Sequence, residues 1–565
     1  MMQTTSLAVT KKNRKATVAV YFGVYLITIS AICFPLFRGS LFFSHDILFH
    51  FGRFAGIVDG LKNGVFPVRM NYTFFVGSGY GNSLFYPDFF MYPFAALGAL
   101  GLGVIPALNL FLFSVTSAVF FVSAYSFKGI CKSDFGALIG AVIYTSANYY
   151  IDLMYTRASF GELLIFIFLP LLAYALYNLF EENFDKPLLL YLSLTGMILS
   201  HLIFFVLSVL VCLVLLIVRS PFLLKNRSIL NRLLLYLGLA VLSTSFFWLP
   251  FLEQLASAPF FSLNAYGADP ANETVPLLEM FFSPYYRSFG FRIIVFLLIR
   301  LYFLKKKPAD YRRLRIADSF AVTGFFLLFM SSSLFPWTFV PSFFDFIQFP
   351  WRLYLPAVFF FSAAVCLLFS MIELFPAVSS RKARIAVIVI IPQIVLAAFL
   401  TLNVFLPTDP PKEWLENGNA LYPRTGFEYL RSDRDMLNTF VFSAVRSVTD
   451  SEGEVLPAEK EYGIFRVTLD RKTDSILVPF IHYKGYGARY SVPGQAKTDL
   501  PTGCDDNMQI VRIDTSALEP GGTITVRYEG TFLQHISAAV SLLTVLSMTA
   551  FRVVFFVRNK SARRS

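Results

Sequence analysis

The sequence predicts a mainly α fold: a polytopic transmembrane helical bundle of about twelve spans, then a β-sandwich-like domain, then one last transmembrane helix. Three observations carry this. Of 565 residues, 56% are hydrophobic and only 15% are charged, against about 25% charged in an average soluble domain. Apolar runs long enough for a bilayer, which takes roughly 20 helical residues, recur along the chain. From 407 to 531 the pattern changes to short alternating runs separated by turn signals such as Asp409-Pro410-Pro411 and Pro520-Gly521-Gly522.

The first run, 16–37, follows Lys11, Lys12, Arg14 and Lys15. It is too long for a signal-peptide core and no small-residue cleavage site follows, so it is expected to be a membrane anchor. The next are 85–127 (broken near 101–106), 134–150, 163–180, 188–219 (two passes around Ser200-His201), 233–252 and 288–304. The last are 317–339, 353–375, 385–406 and 533–557. Both 85–127 and 188–219 can be counted as one pass or two.

Basic residues gather in short loops: Arg219, Lys225, Arg227 and Arg232; Lys305, Lys306, Lys307, Arg312, Arg313 and Arg315; Arg381, Lys382 and Arg384; and Arg558, Lys560, Arg563 and Arg564 in the tail. Positive residues stay on the cytoplasmic side. Both termini are therefore expected inside, with 38–84, 253–287 and 407–531 outside, in a plasma membrane. This topology, and not nucleic-acid binding, accounts for the net charge of +12. Three units follow: a transmembrane module 1–406 with its first outer loop at 38–84, an extracytoplasmic β-rich domain 407–531, and a final helix with a basic cytoplasmic tail, 532–565. Expected strands are 463–469, 475–483, 486–492, 508–513 and 523–528. Five cysteines include only Cys504 in that domain, which leaves it no internal disulfide. Neither CxxC nor a Cys/His cluster points to zinc.

Residues with chemical potential collect in the outer segments. Asp46, His50 and Arg53 are spaced by four and three, which places them on one face of a helix. A carboxylate there could act as a general base; a solvated face of an interfacial helix reaching about Lys62 is the plainer alternative. Arg157 and Glu162 flank an apolar span, where ionisable groups are costly unless they pair or line a wet cavity. Arg157 suits a phosphate oxygen, or the two cap helix ends as an ion pair. His201 interrupts an apolar stretch, as a site residue or as a helix-packing hydrogen bonder. Arg352, in Gln348-Phe349-Pro350-Trp351-Arg352, could clamp an anion, or the motif could equally serve to place Trp351 as an interface anchor. No P-loop, GxSxG, HExxH or dinucleotide fingerprint is present.

The order Asp46-xxx-His50-xx-Arg53, Gly64-xx-Pro67, Gly77-x-Gly79-Tyr80-Gly81, Tyr86-Pro87 resembles the first outer loop of YfhO-like bacterial membrane proteins. Tyr149-x5-Tyr155-x-Arg157-xxx-Gly161-Glu162 and Gln348-Phe349-Pro350-Trp351-Arg352 are similar to that family too. So are Tyr483-Lys484-Gly485-Tyr486-x-Ala488 and Tyr528-x-Gly530 followed by Ile536-Ser537. The resemblance implies a GT-C type integral-membrane glycosyltransferase. Its donor would be a polyprenyl-phosphate-linked sugar, its acceptor an envelope polymer such as teichoic acid or polysaccharide, and transfer would occur on the outer face with inversion. The resemblance makes Asp46 the catalytic base and sets His50, Arg53, Arg157, Glu162 and Arg352 around the lipid phosphate and acceptor; His201, from its place in an apolar stretch, is expected to bind substrate or donor as well. No second acidic residue follows Asp46 in a motif, Asp59 and Asp88 being isolated, so no required metal is expected. The competing expectations are a lipid or glycan transporter or flippase, which would show mid-membrane polar residues and related halves, and a non-catalytic envelope-assembly scaffold built on the β domain.

Overall fold

A computed structural model describes residues 2–38, 42, 44–262, 269–283, 287–290, 292–305, 310–372, 382–405 and 427–562. The expectations for 407–426, Lys306, Lys307, Arg381, Arg563 and Arg564 lie outside them.

Six helices among the described residues are long and apolar enough to cross a membrane: Val18–Arg38, Val104–Cys131, Phe160–Glu181, Tyr311–Ser331, Pro350–Ile372 and Phe532–Val554. A seventh candidate is the pair Arg227–Ser243 and Ser245–Ser257, bent by 63°. Shorter apolar helices include Asp134–Thr145, which is buried over most of its length, Leu188–Ile198, and Leu202–Val218, which buries only Phe204. Pro350–Ile372 is the axis of the bundle, 89% buried, whereas Phe532–Val554 is 11% buried and lies on the periphery. Close packing at the axis depends on small residues, as in membrane bundles generally. A Cβ on Gly136 would stand 2.5 Å from the Cys366 carbonyl oxygen.

Both expected interruptions are present. The 85–127 run breaks where Gly101 and Gly103 take φ of 116° and 88°, a region open to glycine at no steric cost. The 188–219 run breaks at 199–201, where His201 is extended ahead of the Leu202–Val218 helix.

The C-terminal region is a β-sandwich of ten strands: β1 (Val448–Asp450), β2 (Val455–Leu456), β3 (Ala458–Glu461), β4 (Ile464–Thr468), β5 (Ser475–Ile481), β6 (Tyr486–Ser491), β7 (Thr498–Leu500), β8 (Thr502–Cys504), β9 (Ile510–Asp514) and β10 (Thr523–Tyr528). They form two five-stranded sheets, ordered β2-β1-β5-β9-β8 and β3-β4-β10-β6-β7. Every pairing is antiparallel. The five strands expected from sequence are β4, β5, β6, β9 and β10, each found within two residues. Val467, Ile476, Val478, Val511, Ile524 and Val526 from both sheets meet in one core.

That core does not stop at the sandwich. It continues through Phe49, Met70, Phe74, Phe75, Tyr80 and Phe85, so the first loop and the sandwich fold as one hydrophobic unit. The seam is hydrogen-bonded too. Ile481 N–H donates to the Ser78 carbonyl at 2.9 Å, and Lys460 Nζ donates to the Gly77 carbonyl at 2.9 Å. The Tyr483-Lys484-Gly485-Tyr486 motif lies on this seam. Gln254 holds the Lys484 backbone from both sides, at 2.6 and 3.2 Å.

Candidate functional site

The helix that was expected to carry Asp46, His50 and Arg53 on one face starts one residue later. It spans Ile47–Lys62, with Asp46 as its N-cap residue. Only His50 and Arg53 are helical, although the Asp46 carbonyl still accepts from the His50 N–H at 3.0 Å. The Asp46 side chain makes no capping bond, and among the described residues it has no ion pair. Two backbone bonds set its place: His45 N–H to the Thr156 carbonyl and Asp46 N–H to the Arg157 carbonyl, each 3.0 Å. Residues over a hundred positions apart are thus stitched side by side.

Glu162 is the hub beside them. Its side chain is fully buried, and Arg157 Nη1 and Arg352 Nε both donate to Oε1 at 3.1 Å. Tyr149 Oη donates to Oε2 at 2.9 Å. Arg352 also donates through Nη1 to the Ile347 carbonyl at 2.9 Å and to Gln348 Oε1 at 2.8 Å. Its guanidinium lies 4.8 Å from the Phe349 ring centre, and Phe349 stacks on Trp351 at 4.6 Å. The Gln348–Arg352 motif is therefore a self-supporting clamp. Trp351 is 1% exposed, which corrects its expected role as an interface anchor. Two arginines against one glutamate leave the hub with a net positive charge. Nη2 of Arg352 makes no hydrogen bond among the described residues.

A second buried pair adjoins the first. Arg53, wholly inaccessible, is bonded to the Asp88 carboxylate and donates to the Pro87 carbonyl at 3.0 Å. Its Nη1 lies 2.9 Å from His50 Nδ1. An arginine only donates, so His50 Nδ1 accepts and the imidazole is neutral. Burial, then the Arg53 charge, hold the His50 pKa well below its ordinary value. The guanidinium sits 4.0 Å from the Tyr86 ring centre, and His50 stacks on Phe160 at 4.8 Å. The resemblance set His50 and Arg53 around the lipid phosphate and acceptor; in the structure their side chains bond within the fold and tie the helix to the Tyr86–Asp88 turn. Asp88, an isolated acid in the sequence, is Arg53's counter-charge.

His201 closes the gap between these pairs. Its ring lies 6.1 Å from Tyr86 and within electrostatic reach of Glu162, Arg352 and Arg157. Gly161 must be glycine here, because a Cβ would fall 2.3 Å from Tyr86 Oη and 2.8 Å from the Ser200 carbonyl oxygen. All seven residues singled out from the sequence thus stand in one region. Burial pushes the Asp46 carboxyl above the ordinary aspartate value, against the pull of Arg157 and His45.

Sequence reasoning missed Glu428. It lies in a short turn, Phe427–Tyr429, ahead of the sandwich. Tyr429 stacks on Phe85 at 5.0 Å and lies 6.4 Å from Phe49, one turn from Asp46. Burial, the backbone and the Asp46 charge act on the Glu428 carboxyl, and the net effect raises its pKa. No motif surrounds Glu428 in the chain, so only its spatial neighbours reveal it. Asp59 stands apart, bonded to Asn63. Among the described residues no group of three His, Cys, Asp or Glu side chains is placed to hold a metal ion.

No family model matches the chain. Over 348 residues it is 26% identical to an uncharacterized protein of Lactococcus lactis subsp. cremoris (strain MG1363), a match covering 57% of this chain and 55% of that protein. The chain spans about half the length of the curated relative it matches.

Proposed function

We propose that this protein is a membrane glycosyltransferase of the GT-C type, moving a sugar from a polyprenyl-phosphate donor to a cell-envelope polymer. One observation carries the proposal: Asp46, a carboxylate with no capping bond and, among the described residues, no ion pair, stands beside a buried hub of net positive charge made by Arg157, Arg352 and Glu162. A structural aspartate at a helix start normally caps the first N–H groups. This one is left open beside cations.

The chemistry that such a site supports is an in-line displacement. The acceptor hydroxyl gives its proton to Asp46 while its oxygen bonds to the anomeric carbon. The bond from that carbon to the phosphate oxygen breaks, and the lipid phosphate leaves with the electron pair. Arg352 and Arg157 stabilise the charge growing on the leaving group, and fixed cations in a water-poor site do this without reorganising. His50 and Arg53 act at one remove by holding the loop that carries Asp46. The lipid anchor explains why the site adjoins apolar helices, and the sandwich, continuous with the loop, gives a polymer a surface to rest on. About twelve spans, cytoplasmic termini and an outward-facing sandwich complete this reading.

The test is transfer by the purified full chain in lipid nanodiscs. Polyprenyl-phosphate hexoses and teichoic acid or envelope polysaccharide are supplied, and label in the polymer is followed with release of polyprenyl phosphate. Transfer by wild type and none by Asp46→Asn is the expected result. Movement of the lipid across liposomes without any transfer would replace the proposal with a flippase.

A further inference from the structure

Beside Arg157, on the other side of the same turn, is a group of buried polar atoms that the proposed chemistry does not use. Asp152 opens the Asp152–Thr156 turn and is 3% exposed. Among the described residues, neither of its carboxylate oxygens has a hydrogen-bond partner of ordinary geometry. The Thr156 hydroxyl and the Arg287 backbone N–H approach it, yet Thr156 Oγ1 is unbonded as well. Tyr354, fully buried, has an unbonded hydroxyl within electrostatic reach of Asp152. Ser288, next to Arg287, has another.

A native interior leaves few such groups unmatched, and each uncompensated one is costly. A carboxylate is the most costly. Here several are gathered in one place, which marks a site completed by something else. The chemistry narrows what that is. The positive charge of Arg157, which acts on Asp152, opposes a cation, and the carboxylate opposes an anion. A neutral polyhydroxyl ligand satisfies both: a carboxylate accepts from two neighbouring hydroxyls, and hydroxyl side chains both donate and accept.

The position fits too. Arg157 N–H donates to the Asp152 carbonyl at 2.8 Å, so the two residues are neighbours across one turn. Thr156 and Arg157 are the residues stitched to His45 and Asp46. A lipid phosphate held by Arg157 would have its sugar next to Asp152, with Asp46 alongside.

We propose that Asp152, Thr156 and Tyr354 form the subsite that binds the sugar of the donor, a neutral hexose or N-acetylhexosamine, with Asp152 accepting from ring hydroxyls. This rests on the glycosyltransferase proposal and adds to it which residues choose the sugar.

The experiment measures binding of polyprenyl phosphate and of its glucose, galactose and N-acetylglucosamine esters to the full chain in nanodiscs. At least one ester should bind wild type about tenfold more tightly than bare polyprenyl phosphate, the size expected of hydrogen bonds to a charged group. Asp152→Asn should erase that margin and leave the bare lipid unchanged. Tyr354→Phe should narrow it about threefold, a neutral hydrogen bond's share, and keeps the test alive should the first variant not fold. A margin preserved in both variants, or affinity for bare lipid lost equally, would overturn the subsite and leave the glycosyltransferase standing. No binding of any of these lipids by wild type would overturn both.

Discussion

The bundle and the sandwich treat charge in opposite ways. In the sandwich, pairs such as Lys472 with Glu519 and Arg512 with Asp506 lie at the surface, and the buried Asp450 is paired with a partly exposed Arg471. In the bundle, Arg53, Arg157, Arg352, Glu162 and Asp88 are all buried, and all converge on the stretch beside Asp46. Exposed pairs contribute little because water screens them. Buried charges carry a large desolvation penalty that only close partners offset. Five buried charges thus stand in one place, beside a carboxylate, Asp46, that has no ion pair among the described residues.

The contrast can be broken at several points. The largest effect belongs to Asp46→Asn, which should lower sugar transfer by about 10²–10⁴-fold, the scale of a lost general base. Burial disfavours the charged carboxylate, so the same variant should unfold at a higher temperature than wild type at neutral pH. Loss of stability together with activity would make Asp46 a structural residue. Glu162→Gln comes next. It leaves Arg157 and Arg352 facing each other without a counter-charge and should cost about 3–5 kcal/mol, read from thermal unfolding in detergent. An unchanged midpoint would mean that the hub is solvated.

A smaller effect sharpens the picture through pH. Because burial raises the Asp46 pKa, the acid limb of the transfer rate should lie above the ordinary aspartate value of about 3.9. The rate should rise as pH climbs through that raised pKa and the carboxylate forms. Glu428→Gln removes the nearby negative charge and should move the limb to lower pH. A limb that stays put would separate the two carboxylates. Least of all, Lys472→Ala in the sandwich should leave both the transfer rate and the unfolding midpoint where they are.

The strands show where legibility in the sequence ends. Of the five expected ones, β4, β6 and β10 alternate residues that face a shared core, and β5 and β9 carry apolar runs buried over consecutive positions. The missed β3 reads Ala-Glu-Lys-Glu and is exposed throughout. Only its partner β4 makes it a strand, and β1, β2, β7 and β8 are too short to show a period. Among the site residues, those with a local signal were found: ionisable groups beside apolar runs stand out because membranes tolerate few of them. The pairing was legible in one case, Arg157 with Glu162, five residues apart. Arg352 joins them from 190 residues away, and Asp88 reaches Arg53 from 35.

By itself the sequence determined that this is an apolar, helix-rich chain with a β-sandwich near its C-terminus, because hydrophobic period is a local property. It also marked the seven residues around the site, because an ionisable group in an apolar setting is conspicuous wherever it occurs. Tertiary structure alone decided what those groups do to one another. It made Arg53 an internal clamp, Glu162 the hub for two arginines and Asp46 the carboxylate left open, and it brought Glu428 within reach. Partner choice among buried charges depends on distance in space, and no pattern along the chain encodes that.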